Sequence, residues 1–132
     1  HRDLHSVPTR RSSDLSFRRR KHIKFTMKKK DKTYKLLSMS FKVVYKDKVE
    51  DEQGCWRFGQ ITYDANEALI EVSTMSEDGR KLSKDEIENT LRHELFHFIL
   101  DTLYFRDLSA NESLVEWLAN ATFSLNKQGL TI

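Results

Sequence analysis

Cysteine is almost missing from this chain: Cys55 is the only one among 132 residues. A lone thiol excludes an intramolecular disulfide, leans toward a reducing compartment and so toward the cytoplasm, and offers no thiolate partner for a metal. Cys55 itself reads as a small, half-buried strand residue. Equally absent is any run of eighteen apolar residues, so no membrane-spanning helix is expected. No internal repeat or low-complexity segment is found in the part that reads as folded.

That folded part also has no excess of positive charge. Residues 1–32 hold twelve Lys and Arg against three Asp and Glu, whereas residues 33–132 hold eleven against seventeen, so a formal net charge of +3 conceals a globular part at −6. The run Arg18-Arg19-Arg20-Lys21 suits phosphate chemistry. A blocky basic arm on an acidic domain is, however, more often a solvated tail than a specific binder, and nucleic acid is not the expected partner. Residues 1–15, HRDLHSVPTRRSSDL, resemble a translated sequencing adapter and show no apolar periodicity. We therefore read residues 1–32 as a non-native or disordered basic arm, with Met27 as the expected start. His1, His5 and His22 lie in it and carry no functional weight. Residues 33–132 then form a single domain, since about 100 residues suffice for one modest core.

The first half of that domain has strand character. Tyr34 to Tyr45 alternates, with Leu37, Met39, Phe41 and Val43 on one side, as a half-buried strand or hairpin arm would. Glu50-Asp51-Glu52 with Gly54 reads as a loop. Trp56, Phe58, Ile61 and Tyr63 predict a second strand with an irregularity at Gly59, and Asp64-Ala65-Asn66 a turn into Ala68–Ser73. Met75 to Arg80 reads as a flexible connection. The expected fold is α+β: about three antiparallel strands followed by two helices.

The helices carry the chemistry. Ser83 and Glu86 form an S-x-x-E capping box, and Leu82 with Ile87 suits a hydrophobic staple, so the first helix should begin near Lys84. Ile87, Leu91, Leu95, Phe98 and Thr102 recur at helical spacing and predict the face turned to the core. Inside this helix lies His93-Glu94-Leu95-Phe96-His97. At about 100° per residue the two histidines stand about 40° apart, with Glu94 roughly 60° further round the same side. Two imidazoles so placed can bind one divalent metal, and a glutamate between them sits where a general base is wanted. The bland alternative is a helix whose histidines are satisfied by backbone carbonyls or water.

A catalytic zinc needs a third protein ligand and one open position. Glu112 and Glu116 are the candidates. Ser109 followed by Glu112 repeats the S-x-x-E pattern, which gives Glu112 a capping role at the start of the second helix. Glu116 has no such role, and Leu114, Leu118, Ala121 and Leu125 opposite it would pack inward. Glu116 is accordingly preferred, with Glu112 kept open because both point to the same side. Asn120 shares Glu116's face and can support a ligand by hydrogen bonding. Tyr104 lies nearly in line with His93 but about 16 Å along the helix axis, which favours packing over catalysis. Trp56, Trp117, Phe105 and Phe123 read as core or rim aromatics.

His93-Glu94-x-x-His97, then eighteen residues, then Glu116, resembles the gluzincin branch of zinc metallopeptidases. Glu116-Trp117-Leu118-Ala119-Asn120 further resembles the E-x-x-A-N element of ImmA/IrrE-type metallopeptidases, a group common in phages, and the run from about Tyr34 to Lys127 looks like a small member of it. Phe96 stands where that family often has glycine, and the aromatic and proline-containing elements after the E-x-x-A-N helix are missing. The resemblance implies a minimal zincin-like core and a Zn2+ cofactor on His93, His97 and Glu116. It also implies that Leu69 to Thr74 offers its edge to an extended protein or peptide substrate, with a repressor among the candidates. Zinc acidifies water and polarises a carbonyl, and Glu94 can move the proton to the leaving amine, so peptide hydrolysis is the expected reaction. The alternative from another class is a non-catalytic regulatory or interaction protein that keeps the scaffold.

Overall fold

A computed structural model of the chain describes residues 32–132. The basic segment 1–31, read above as a non-native or disordered arm, lies outside the described residues. The fold is α+β, as expected, but among the described residues it has a mixed four-stranded sheet, a second small sheet and three helices.

Strands β1 (Tyr34–Leu36) and β2 (Met39–Lys46) form a tight hairpin in which Leu36 pairs with Met39. Leu37 occupies the turn at φ 57° and is 67 % exposed, so it leaves the apolar alternation in which the sequence had placed it. Met39, Phe41 and Val43 do face the core. The two-residue strands β3 (Val49–Glu50) and β4 (Trp56–Arg57) make a separate ribbon. Its loop is held by Asp51 Oδ1, which accepts from the backbone N–H groups of Gln53 and Cys55. Cys55 is exposed in that loop, not half-buried in a strand.

Strands β5 (Gly59–Asp64) and β6 (Glu67–Ser73) pair across a turn at Ala65 and Asn66. The expected strand Trp56–Tyr63 is thus divided at Phe58 between two sheets, one residue before the anticipated irregularity. Sheet order is β1-β2-β6-β5. β2 and β6 run parallel, with Val43 opposite Ile70, whereas an all-antiparallel sheet had been expected. Alternation does not encode strand direction, and the ribbon plus β5 supply the long connection that a parallel pair needs. A second correction follows: Leu69–Thr74 falls on the central strand, bonded to β2 and β5, and has no edge to offer. Among the described residues, β5 is the edge strand on that side.

Helix α1 (Lys84–Thr102) begins as its sequence dictates, with the Ser83–Glu86 capping box formed. Its stripe packs as predicted: Phe98 is fully buried against Ile61, Ala68, Ile70 and Val72, with Ile87, Leu91 and Leu95 around it. Burying such a ring contributes about 1.5–3 kcal/mol. α1 ends in a Schellman motif, in which Tyr104 N–H donates to Asp101 O and Phe105 N–H to Leu100 O. Tyr104 sits at φ 65°, a position usually left to glycine, and its ring is 79 % exposed, outside the core, with the Arg106 guanidinium over it at 5.9 Å.

That reversal leads into a short helix the sequence did not announce, α2 (Arg106–Ser109), and then α3 (Glu112–Lys127). The cap of α3 is Asn111, whose side chain accepts from Leu114 N–H. Ser109 does not cap it, and the proposed Ser109–Glu112 box is absent. Glu112 therefore occupies the first helical position with no capping duty. The buried face of α3 also differs from expectation: Val115 and Ala119 are fully buried, while Ala121 and Leu125 are exposed, as are Trp117 and Phe105. Small side chains let α3 approach α1 closely, and this face carries Glu112 and Glu116 with it. No helix among the described residues is long and apolar enough to cross a membrane.

Candidate metal centre

His93 and His97 stand one turn apart on α1, both buried, with ring centroids 4.9 Å apart. Each ring has one nitrogen tied to a neighbour and the other turned to a shared point. Nδ1 of His93 lies 2.9 Å from Oε1 of Glu116. A carboxylate only accepts, so that nitrogen carries the ring proton. Nδ1 of His97 lies 3.2 Å from Oγ of Ser109, and the same hydroxyl is 3.4 Å from the His97 carbonyl. The carbonyl can only accept, so the hydroxyl proton goes to it and the hydroxyl oxygen receives Nδ1–H. Each imidazole thus has its Nδ1 engaged by a neighbour and its Nε2 turned toward Glu112.

Glu112 meets both Nε2 atoms. Its Oε1 is 3.2 Å from Nε2 of His93 and its Oε2 is 3.3 Å from Nε2 of His97. Ligand atoms of His93, His97 and Glu112 all lie within 4.8 Å of one another. Ligands of a tetrahedral zinc stand about 3.3–3.4 Å apart, and these three side chains are close enough to be drawn onto one ion. The donor set, two imidazoles and a carboxylate, is one that divalent zinc accepts. The residues present thus fit a metal.

Of the two carboxylates left open by the sequence, Glu112 belongs to this group and Glu116 holds the far side of His93. Asn120 accepts from the Asn89 amide at 2.9 Å and so ties α3 to α1, away from the ligand atoms. Both glutamates are about 40 % exposed at the side chain, against 7–8 % for the histidines, so the group opens to solvent on the α3 side.

Glu94 is buried on the side of α1 that rests on β5. The same strand is pinned one layer further along, where Tyr63 Oη donates to Asp101 Oδ2 at 2.9 Å. Burial first, then the adjacent Asp101 carboxylate, pushes the Tyr63 phenol well above its ordinary pKa and keeps it a donor. The expected loop Met75–Arg80 is an ordered turn: Ser76 N–H donates to Arg80 O, and the Trp56 indole donates to Met75 O.

Sequence reasoning missed Ser109 as the partner of His97, because the S-x-x-E spacing gave it another role. The sign available was Asn111, an equally good cap two residues later. If the group holds a metal, Ser109→Ala should weaken its affinity for an added divalent ion by roughly 10–100-fold without unfolding the protein, as loss of such an outer partner does; competition against a chelating dye measures it. Unaltered affinity would mean that the hydroxyl does not orient the ring.

No protein-family description, curated protein or solved structure matches this chain.

Proposed function

We propose that the protein is a zinc-dependent metallopeptidase that hydrolyses peptide bonds, with His93, His97 and Glu112 holding the ion and Glu94 as general base. The observation that carries this reading is the convergence of two buried histidine Nε2 atoms on one carboxylate, with a buried glutamate next in sequence to the first histidine. The H-E-x-x-H spacing, and its resemblance to gluzincins and ImmA/IrrE-type proteins, adds support.

Zinc in this site supplies Lewis-acid polarisation of a carbonyl and acidification of water toward a pKa of about 7. The rest falls to the chain. Glu116 and Ser109 hold the imidazoles in the binding tautomer and orientation. Glu94 accepts the proton from the attacking water as oxygen bonds to the carbonyl carbon, then delivers it to the nitrogen as the C–N bond breaks. An extended peptide can lie along β5, which pairs on one side only among the described residues and runs beside α1 at the Glu94 turn. By the same resemblance, the substrate is a protein or peptide, with a phage or host repressor as one candidate.

Metal analysis of the purified protein, run beside hydrolysis of fluorescein-labelled casein, tests the proposal. One zinc ion per chain is expected, with hydrolysis lost on treatment with 1,10-phenanthroline and regained on adding zinc. Protein that holds no ion, or cleaves equally well after chelation, overturns it.

A further inference from the structure

Helices α1 and α3 pack side by side in opposite directions, and their polar contacts recur turn by turn. His97 meets Glu112, His93 meets Glu116, Asn89 meets Asn120 and Asp85 meets Lys127. The first three of these rungs step by four residues on both helices, so they stack one turn apart. Two of the three belong to the metal centre. The outermost contact, Asp85 with Lys127, joins exposed side chains, and such pairs fix little. Asn89 with Asn120 is then the first directional contact beyond the ligand atoms. Apolar contact through Val115 and Ala119 is non-directional and tolerates sliding, whereas a hydrogen bond at 2.9 Å does not. The opposite end of α3 is already held, since the α2 turn that leads into it carries Ser109, the partner of His97. Glu112 and Glu116 thus lie between two ties.

The asparagine rung is poorly suited to stabilising the fold. Asparagine is a weak helix former, and Oδ1 of Asn89 is buried with no hydrogen-bond partner, a penalty that offsets what the bond to Asn120 returns. A polar group kept between helices at the expense of stability is a known means of fixing their register. We infer that Asn89 and Asn120 are positioning residues: the bond between them sets the register of α3 on α1, and so the place of Glu112 and Glu116 against His93 and His97. A metal site has to be held within about 0.5 Å, a small part of the roughly 5.4 Å of one helical turn. The effect on metal rests on the site proposed above. The register itself rests only on the contacts between the two helices.

The experiment compares Asn89→Ala, Asn120→Ala and the double variant by zinc competition with a chelating dye, and by thermal unfolding and NMR of the histidine rings without metal. Each single variant should bind zinc about 10-fold more weakly, the lower end of what loss of an outer partner costs. The double variant should bind no more weakly than either, because both changes break one bond. Without metal all three should melt at the wild-type temperature or above it, alanine being the better helix former. Unchanged zinc affinity, losses that multiply in the double variant, or a melting temperature that falls along with affinity overturns the inference and leaves the metal site standing. Should the wild type bind no zinc, the metal reading fails by itself. Register is then judged by NMR: the ring signals of His93, whose partner Glu116 lies one turn from Asn120, should move further than those of His97, and unmoved His93 signals refute it.

Discussion

Glu94→Gln should lower peptide hydrolysis by about 10²–10⁴-fold while one zinc ion stays bound. The replacement keeps the length and shape of the side chain, so its methylenes still pack beside Gly59. It removes only the ability to take a proton, since an amide is not a base at neutral pH. Glu94 is not among the residues whose ligand atoms converge, so metal content should be unaffected. Turnover on labelled casein, measured with zinc analysis of the same sample, decides the matter. Retained turnover would remove Glu94 from the mechanism, and loss of the ion would recast it as part of the metal site.

The second large effect separates the two glutamates of α3. Glu112→Ala deletes the carboxylate that faces both Nε2 atoms, whereas Glu116→Ala deletes the acceptor on the far side of one ring. Loss of an outer carboxylate typically weakens a metal site by roughly 10–100-fold, and loss of a ligand should exceed that. Zinc affinity is therefore expected to fall furthest for Glu112→Ala and to an intermediate level for Glu116→Ala, as read by competition with a chelating dye. The reverse order would return Glu116 to the metal and make Glu112 the outer group.

Why the sequence pointed to the histidines but not to the carboxylate arrangement is a matter of range. Helix α1 is specified by neighbours: its capping box, its apolar stripe and its pair of histidines all lie between Ser83 and Thr102. The choice between Glu112 and Glu116 depends on where α3 starts, and two overlapping cap signals, Ser109 and Asn111, compete for that start. α2 is only four residues long, too short for periodicity to reveal. The buried face of α3 was misjudged for a related reason. Leu114, Leu118, Ala121 and Leu125 are the more apolar stripe, yet Val115 and Ala119 are the smaller pair, and closeness of approach to α1 is decided by volume. In the sheet, the strands at Met39–Lys46 and Glu67–Ser73 are evident from alternation, but their parallel pairing is not, because alternation reads the same in both directions.

That parallel pairing also bears on how the molecule comes together. The ladder between β2 and β6 cannot grow outward from a turn, since Lys46 and Glu67 are separated by the β3–β4 ribbon and all of β5. Its closure must wait until the intervening chain has doubled back, and non-local closure of this kind is what slows folding. The contacts that join α1 to α3 are of similar range, Asn89 reaching Asn120 across 31 positions, so both layers must wait for the chain to fold back on itself.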